Sequence, residues 1–201
     1  MRSLFHKASV RLGLVGLILL LAVAAFVFTP TIQTRAAAVD QLVGYGAGTT
    51  GGAGGSTVTV SSLSALTSAV SGSSAKIVQV SGTISGTADV KIGSNTTVIG
   101  VGSTASLVGI SLNVDGSSNV IIRNLSISKV VASDTTGDAI HLVNGANHIW
   151  IDHNNLFSDL DHGKDFYDGL LDITHAADFI TVSWNRFHDH FKVSLVGHSD
   201  S

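Results

Sequence analysis

Ile140-His141-Leu142 with Ile149-Trp150-Ile151, and Leu171-Asp172-Ile173 with Ile180-Thr181-Val182, repeat one another at a single offset of 31 residues. Both copies are short runs of β-branched and aliphatic residues, and their spacers are rich in Gly, Asn and Asp, which reads as strand and turn. Toward the N-terminus three more segments resemble them: Ile77-Val78-Gln79-Val80, Thr96-Thr97-Val98-Ile99 and Val120-Ile121-Ile122. Aligned at Val80, Val98, Ile122, Ile151 and Val182, the five are spaced by 18, 24, 29 and 31 residues, a repeat with growing insertions. A period of this length, all strand and turn, predicts an all-β, right-handed parallel β-helix in which each turn of chain stacks on the one before and inward residues form a continuous core. An antiparallel sandwich would need strands roughly every 8–12 residues joined by tight turns.

Outward from this repeat, one segment has a helical period. Ser62 is suited to an N-cap, and Leu63, Leu66 and Val70 follow at helical spacing, predicting a short N-terminal helix that caps the open end of the solenoid. Gly44 to Gly55 holds seven glycines but leads into Thr57-Val58-Thr59-Val60 rather than a helix, which argues against a dinucleotide-binding turn. Residues 1–38 read as an export signal: Arg2, Lys7 and Arg11 precede the uncharged apolar run 12–28, and Ala36-Ala37-Ala38 offers a cleavage site. A retained membrane anchor is the rival reading of that run. The expectation is a secreted, extracellular protein, free of the membrane after cleavage, whose single domain occupies 39–201.

Without the leader, seven basic residues face fourteen acids, all aspartate. An acidic chain of this kind does not suit a nucleic-acid partner, yet it accommodates an anionic ligand when a divalent cation bridges the carboxylates. The chain has no cysteine, so a disulfide framework is excluded.

All eight histidines after the leader, and eleven of the aspartates, lie between Asp134 and Asp200. The earlier coils therefore read as scaffold. In Asp165-Phe166-Tyr167-Asp168-Gly169-Leu170-Leu171-Asp172, strand alternation points Asp172 outward when Leu171 and Ile173 point inward, and Asp168 precedes the strand. Asp138 stands at the same place one coil earlier as Gly169. Coils stack roughly 4.8 Å apart, so Asp138, Asp168 and Asp172 are expected to converge on one outer surface. Such a trio suits calcium, and equally suits aspartates that merely cap turns; residue spacing leaves both open. Lys192, one coil further, can reach the same face or stand solvated. His188 and His190 invite a zinc site but lack a third ligand. Asp152-His153 reads as a buried, hydrogen-bonded pair.

At Ile149-Trp150-Ile151-Asp152-His153-Asn154, Tyr167-Asp168-Gly169-Leu170-Leu171-Asp172-Ile173-Thr174-His175, Thr181-Val182-Ser183-Trp184-Asn185 and Phe187-His188-Asp189-His190-Phe191-Lys192, the sequence resembles the calcium-dependent β-helix pectate lyases. The resemblance runs from about Gly44 to the end. It implies a polysaccharide lyase acting on polygalacturonate, with Asp138, Asp168 and Asp172 binding Ca2+, Lys192 contacting the galacturonate carboxylate, and a monomer when complete. Where some relatives carry another acid, this chain has Thr136, which implies three carboxylates plus water and substrate around the metal. The family's base is an arginine in a later Arg-x-Pro-x-x-Arg segment, expected beyond Ser201; neither Arg123 nor Arg186 matches it. The 39–201 stretch alone is accordingly expected to be C-terminally incomplete, poorly soluble and nearly inactive. Two rival functions share the fold: a polygalacturonase-like hydrolase with paired carboxyl groups, and a non-catalytic β-helix carbohydrate-binding module.

Overall fold

The computed structural model describes residues 40–198. The expected export segment 1–38 lies outside the described residues. Strand β1 (Ser56–Val60) is followed by helix α1 (Leu63–Val70) and two long bent strands, β2 (Lys76–Lys91) and β3 (Thr96–Asp115). Nine shorter strands follow: β4 (Ser118–Arg123), β5 (Ser126–Ser128), β6 (Ile140–Val143), β7 (Asn147–Asp152), β8 (Asn155–Phe157), β9 (Leu171–Thr174), β10 (Asp178–Ser183), β11 (Arg186–His188) and β12 (Val196–Gly197). Every pairing between these strands is parallel.

The pairings sort the strands into three stacks, which is the parallel β-helix that the repeat predicts. The starts of β2 and β3 stack with β1, β4, β7 and β10; their middles with β5, β8 and β11; their ends with β6, β9 and β12. Register corrects one step of the alignment. Val98, Ile122, Ile151 and Val182 do pair in sequence, but Val98 faces Val78 and not Val80, which faces Gly100. The first spacing is therefore 20 residues. Because side chains alternate with a period of two, the two-residue slip leaves the same residues facing inward. The core is built of such columns: Val90, Leu112, Ile140 and Leu171 on one face, Ile84, Leu107, Ile127 and Leu156 on another, all buried.

Helix α1 forms where expected. Ser62 accepts a hydrogen bond from the Ala65 amide at 3.4 Å, and Leu66 and Val70 are fully buried against the first coils. Just past the helix end, Lys76 Nζ donates to the C-cap carbonyl Ser71 O at 2.5 Å and to Gly72 O at 2.8 Å, a cation placed at the negative end of the helix.

The solenoid turns its corners with single left-handed residues. Asn95, Asn119, His148 and Phe179, with φ between 52° and 59°, each immediately precede the register partners Thr96, Val120, Ile149 and Ile180. A second column, Asn124, His153 and Trp184, closes the same strands. Asn tolerates this region better than most side chains. Asn144-Gly145, a pair typical of two-residue hairpins, here turns the corner between β6 and β7, and both neighbours keep their parallel partners.

The glycine-rich stretch is a strap laid across the first stack. Gly46 N donates to Thr181 Oγ1, Thr50 N and Gly51 N to Asn119 Oδ1, and Gly52 N to Thr97 Oγ1, at 2.7–3.0 Å. A Cβ at position 52 would overlap the Lys76 carbonyl, which is why this crossing requires glycine. Gly52→Ala is expected to destabilise the fold by about 1–3 kcal/mol, the usual cost of overpacking. Gly163→Ala, where a Cβ meets nothing, is expected to stay within about 0.5 kcal/mol of the parent. Thermal or urea unfolding of the two variants separates a strap that is packed from one that is merely adjacent.

Candidate functional site

The third stack carries the acidic residues. Ile140 pairs with Leu171 and His141 with Asp172, and Ala139 N donates to Gly169 O at 3.3 Å, so Asp138 lies beside Gly169 on the next coil. A Cβ at position 169 would sit 2.5 Å from Asp138 Oδ1 and 2.6 Å from Asp172 Oδ1. The two carboxylates thus share the space that any other residue would fill. Asp168 is held by its amide, which donates to Gly137 O at 3.2 Å. Its Oδ1 accepts from Lys192 Nζ at 2.7 Å, and the same ammonium reaches Asp165 Oδ1 at 3.1 Å. Asp168, Gly169, Asp172, Lys192, Ser194 and Leu195 line a cleft of roughly 350 Å³.

The four expected residues are therefore gathered in one place, with a correction for Asp138. It does not lie open on the outer surface; it is only 3% exposed. Its Oδ1 has no hydrogen-bond partner, and His141 Nδ1, 3.4 Å from Asp138 Oδ2, has none either. Burial, reinforced by the charges of Asp172 and Asp168, pushes the Asp138 carboxyl up to about 8. Burial likewise raises Asp172, against a donated bond from Leu195 N at 3.0 Å. Among the described residues, no three His, Cys, Asp or Glu side chains close into a ready metal cage. The Asp168 carboxylate is turned onto Lys192.

The remaining candidates are engaged by other partners, and Thr136 stays beside the site, its Oγ1 accepting from Asp138 N at 3.5 Å. Thr136 Oγ1 lies 3.0 Å from Ser111 Oγ. His188 is engaged by Asp189 at 2.7 Å and Asn155 at 3.0 Å and stacks on Phe157, while His190 Nδ1 accepts from Lys192 N at 3.0 Å. Asp152 is fully buried, as expected, bonded to His153 Nδ1 at 2.7 Å, Ser183 Oγ at 2.6 Å and Arg123 Nε at 2.8 Å. It belongs to the first stack, away from the acidic cleft. Sequence reasoning passed over His141, Asp165 and Gly169. The 31-residue offset already placed His141 beside Asp172; nothing in the spacing marked Asp165 as a partner of Lys192.

Fold and site together define a parallel β-helix protein with a lateral cleft of carboxylates and one lysine over a single sheet. Comparison with known proteins agrees. The family model for pectate lyase matches residues 16–201. Pectate lyase A of Aspergillus niger is 55% identical over 190 residues, covering 92% of this chain and 58% of that protein. Pectate lyase A of Emericella nidulans is 50% identical, covering 83% and 51%. A solved Bacillus sp. N165 pectate lyase, in complex with trigalacturonate, superposes with a TM-score of 0.71 at 32% identity, covering 80% of this chain and 57% of that one. A Xanthomonas campestris pectate lyase gives 0.68 at 29%. The chain belongs to the pectate lyase family, and it spans little more than half the length of these relatives.

The raised Asp138 carboxyl has a consequence for metal-free stability. Its folded value, about 8, stands above the ordinary 3.8, so between those values the folded state binds the extra proton. This group's contribution is complete below about pH 4 and is lost as pH rises through about 8. With chelator present, the melting temperature is expected to fall from about pH 5 to about pH 9, and Asp138→Asn to flatten that fall. Parallel pH curves for the two proteins would contradict a neutral, buried Asp138.

Proposed function

We propose that the protein is a pectate lyase that cleaves polygalacturonate by β-elimination, with Asp138, Asp168 and Asp172 holding Ca2+ and Lys192 binding a uronate carboxylate. The observation that carries this reading is the orphaned, buried Asp138 oxygen, which faces Asp172 across Gly169 just behind a cleft lined by Asp168, Asp172 and Lys192. An unpaired buried carboxylate is costly, and more so with a second carboxylate beside it, unless a cation joins them. Oxygen-only donors on adjacent coils fit calcium's flexible coordination. The bound cation supplies Lewis-acid charge that draws electron density from the uronate carboxylate and makes the C5 proton more acidic.

The chain's own residues divide the remaining work. Asp172 is oriented by Leu195 N; Asp168, which holds Lys192 here, would with Asp138 and Asp172 hold the cation, and Lys192 would then be available to a uronate carboxylate. Elimination then passes the C5 proton to a base, turns the C5–H electron pair into a C4–C5 double bond, and breaks the C4–O bond with its pair leaving on the glycosidic oxygen, which takes up a proton. None of the described residues is assigned as base: Arg123 is tied to Asp152 and Asp40 on the first stack, and Arg186 lies on the second. The resemblance of residues 1–38 to an export signal supports action outside the cell on a polymer. Among the described residues no helix is long and apolar enough to cross a membrane.

One observation favours the hydrolase rival, since a carboxyl raised to about 8 could serve as general acid. Asp138, however, does not line the cleft and cannot meet a glycosidic oxygen there. The product decides between them: the whole protein is expected to release unsaturated, ultraviolet-absorbing oligogalacturonates in calcium, whereas saturated reducing ends alone would identify a hydrolase.

Calcium at about a hundred times its Kd is expected to add about 2.7 kcal/mol to stability, and Asp172→Ala to abolish that gain; no calcium effect on the unsubstituted protein would remove the metal from this reading. Lys192→Met is expected to cost activity while tightening calcium up to about fivefold, because the competing exposed ion pair is worth at most about 1 kcal/mol. Calorimetric titration of this variant reads the second effect without turnover.

A further inference from the structure

Asp168 and Lys192 come from separate segments, and neither is anchored by regular secondary structure: Asp168 lies before β9 and Lys192 between β11 and β12. Tyr167 lies between them: it directly precedes Asp168, and its ring faces His190, which bonds to the Lys192 backbone. The Tyr167 side chain is 6% exposed in a segment that is otherwise open from Leu160 to Phe166. Its backbone forms an isolated antiparallel bridge with Val131, and the neighbouring Phe166 carbonyl accepts from Ala132 N at 3.0 Å. Its hydroxyl donates to Asp159 Oδ2 at 2.9 Å. Its ring lies 6.1 Å from that of His190, whose Nδ1 accepts from the backbone amide of Lys192.

We propose that Tyr167, tethered by Asp159, is the positioning residue that sets both charged arms of the cleft, Asp168 through the adjoining peptide and Lys192 through His190. The inference rests on the calcium reading above and names how that site is held in shape. Asp159 is built as the acceptor. Its other oxygen takes bonds from His162 Nδ1 at 2.8 Å and the Asp161 amide at 3.2 Å, and Lys129 Nζ lies 3.5 Å from Oδ2. The bond from His162 holds the Asp159 carboxyl down at about 2, so it is ionised at any working pH and the phenol is the donor. His162 in turn stacks on Phe166 with ring centroids 3.9 Å apart, closing the loop on itself. A loop exposed from Leu160 to Phe166 has little core to define its path. One buried phenol with a charge-assisted bond supplies that definition, and the residue after it carries a proposed ligand.

The test is calorimetric titration of calcium, then of trigalacturonate in saturating calcium, into the unsubstituted chain, Tyr167→Phe and Asp159→Asn. Each variant is expected to raise the calcium Kd about tenfold and to weaken trigalacturonate binding, with circular dichroism and the metal-free melting temperature near those of the parent. A role confined to packing would instead lower the metal-free melting temperature and leave both dissociation constants in place. Dissociation constants within twofold of the parent in both variants would overturn the proposal. Should Tyr167→Phe fail to fold, Asp159→Asn, which keeps the shape but removes the charge and one of the two accepting oxygens, decides alone. Absence of calcium binding by the unsubstituted chain would overturn the metal reading itself, and this inference with it.

Discussion

Backbone hydrogen bonding from one coil to the next is the constraint on which the rest of this molecule depends. A parallel strand exposes donors and acceptors along both edges, and a chain that winds in a helix of strands satisfies each edge with the coil before or after it. Once that ladder is in register, the inward columns of valine, leucine and isoleucine follow without further choice, because alternation decides which side chains face in. The corners are where the constraint is hardest to meet. Left-handed residues recur there at matched positions, and where the corner residues leave polar groups inside, side-chain amides close the gap: Asn154 Nδ2 donates to Ile122 O and Asn185 Nδ2 to Ile151 O, each to the preceding coil.

The ladder also explains where chemistry can reside. The strands stay in register while the connections between them lengthen, so every added residue is expelled sideways as a loop. The connections after β5 and β8 are the long ones, and they deliver Asp138 and Asp168 to the edge of the third stack. A rigid sheet carrying polar loops of this kind is a common way to place a site, since the sheet fixes position and the loops supply chemical variety.

Two buried aspartates show the difference between scaffold and site. Asp152 is fully buried and has bonds from arginine, serine and histidine, so its charge is met within the protein. Asp138 is buried almost as deeply, yet one oxygen has no partner, and its nearest neighbours include two further carboxylates. The first arrangement stabilises a corner of the first stack, where Arg123 also lies 4.4 Å over the Trp150 ring. The second leaves a carboxyl oxygen without a partner beside two further carboxylates, an arrangement that a cation would relieve and that packing alone does not.

The sequence by itself determined the solenoid, its capping helix and most of its register, because period, alternation and capping are written in neighbouring residues. The 31-residue offset placed Asp138, Asp168 and Asp172 on adjoining rungs, whereas the coil of Lys192 pairs at an offset of 23, and even the misaligned first step, Val80 for Val78, kept the core residues inward since an even slip preserves facing. What only the tertiary structure decided involves groups brought together across coils by loops whose paths no local pattern dictates. The glycine strap crossing from Thr181 to Lys76 is one case, the burial of Asp138 another, and the pairing of Lys192 with Asp165 and Asp168 a third. Tyr167 is the fourth: as a sequence position it is one aromatic in an acidic loop, and only the fold brings Asp159 to its hydroxyl and His190 to its ring. Burial and electrostatics depend on distance in space, and in a stacked chain that distance is set by register and loop path together.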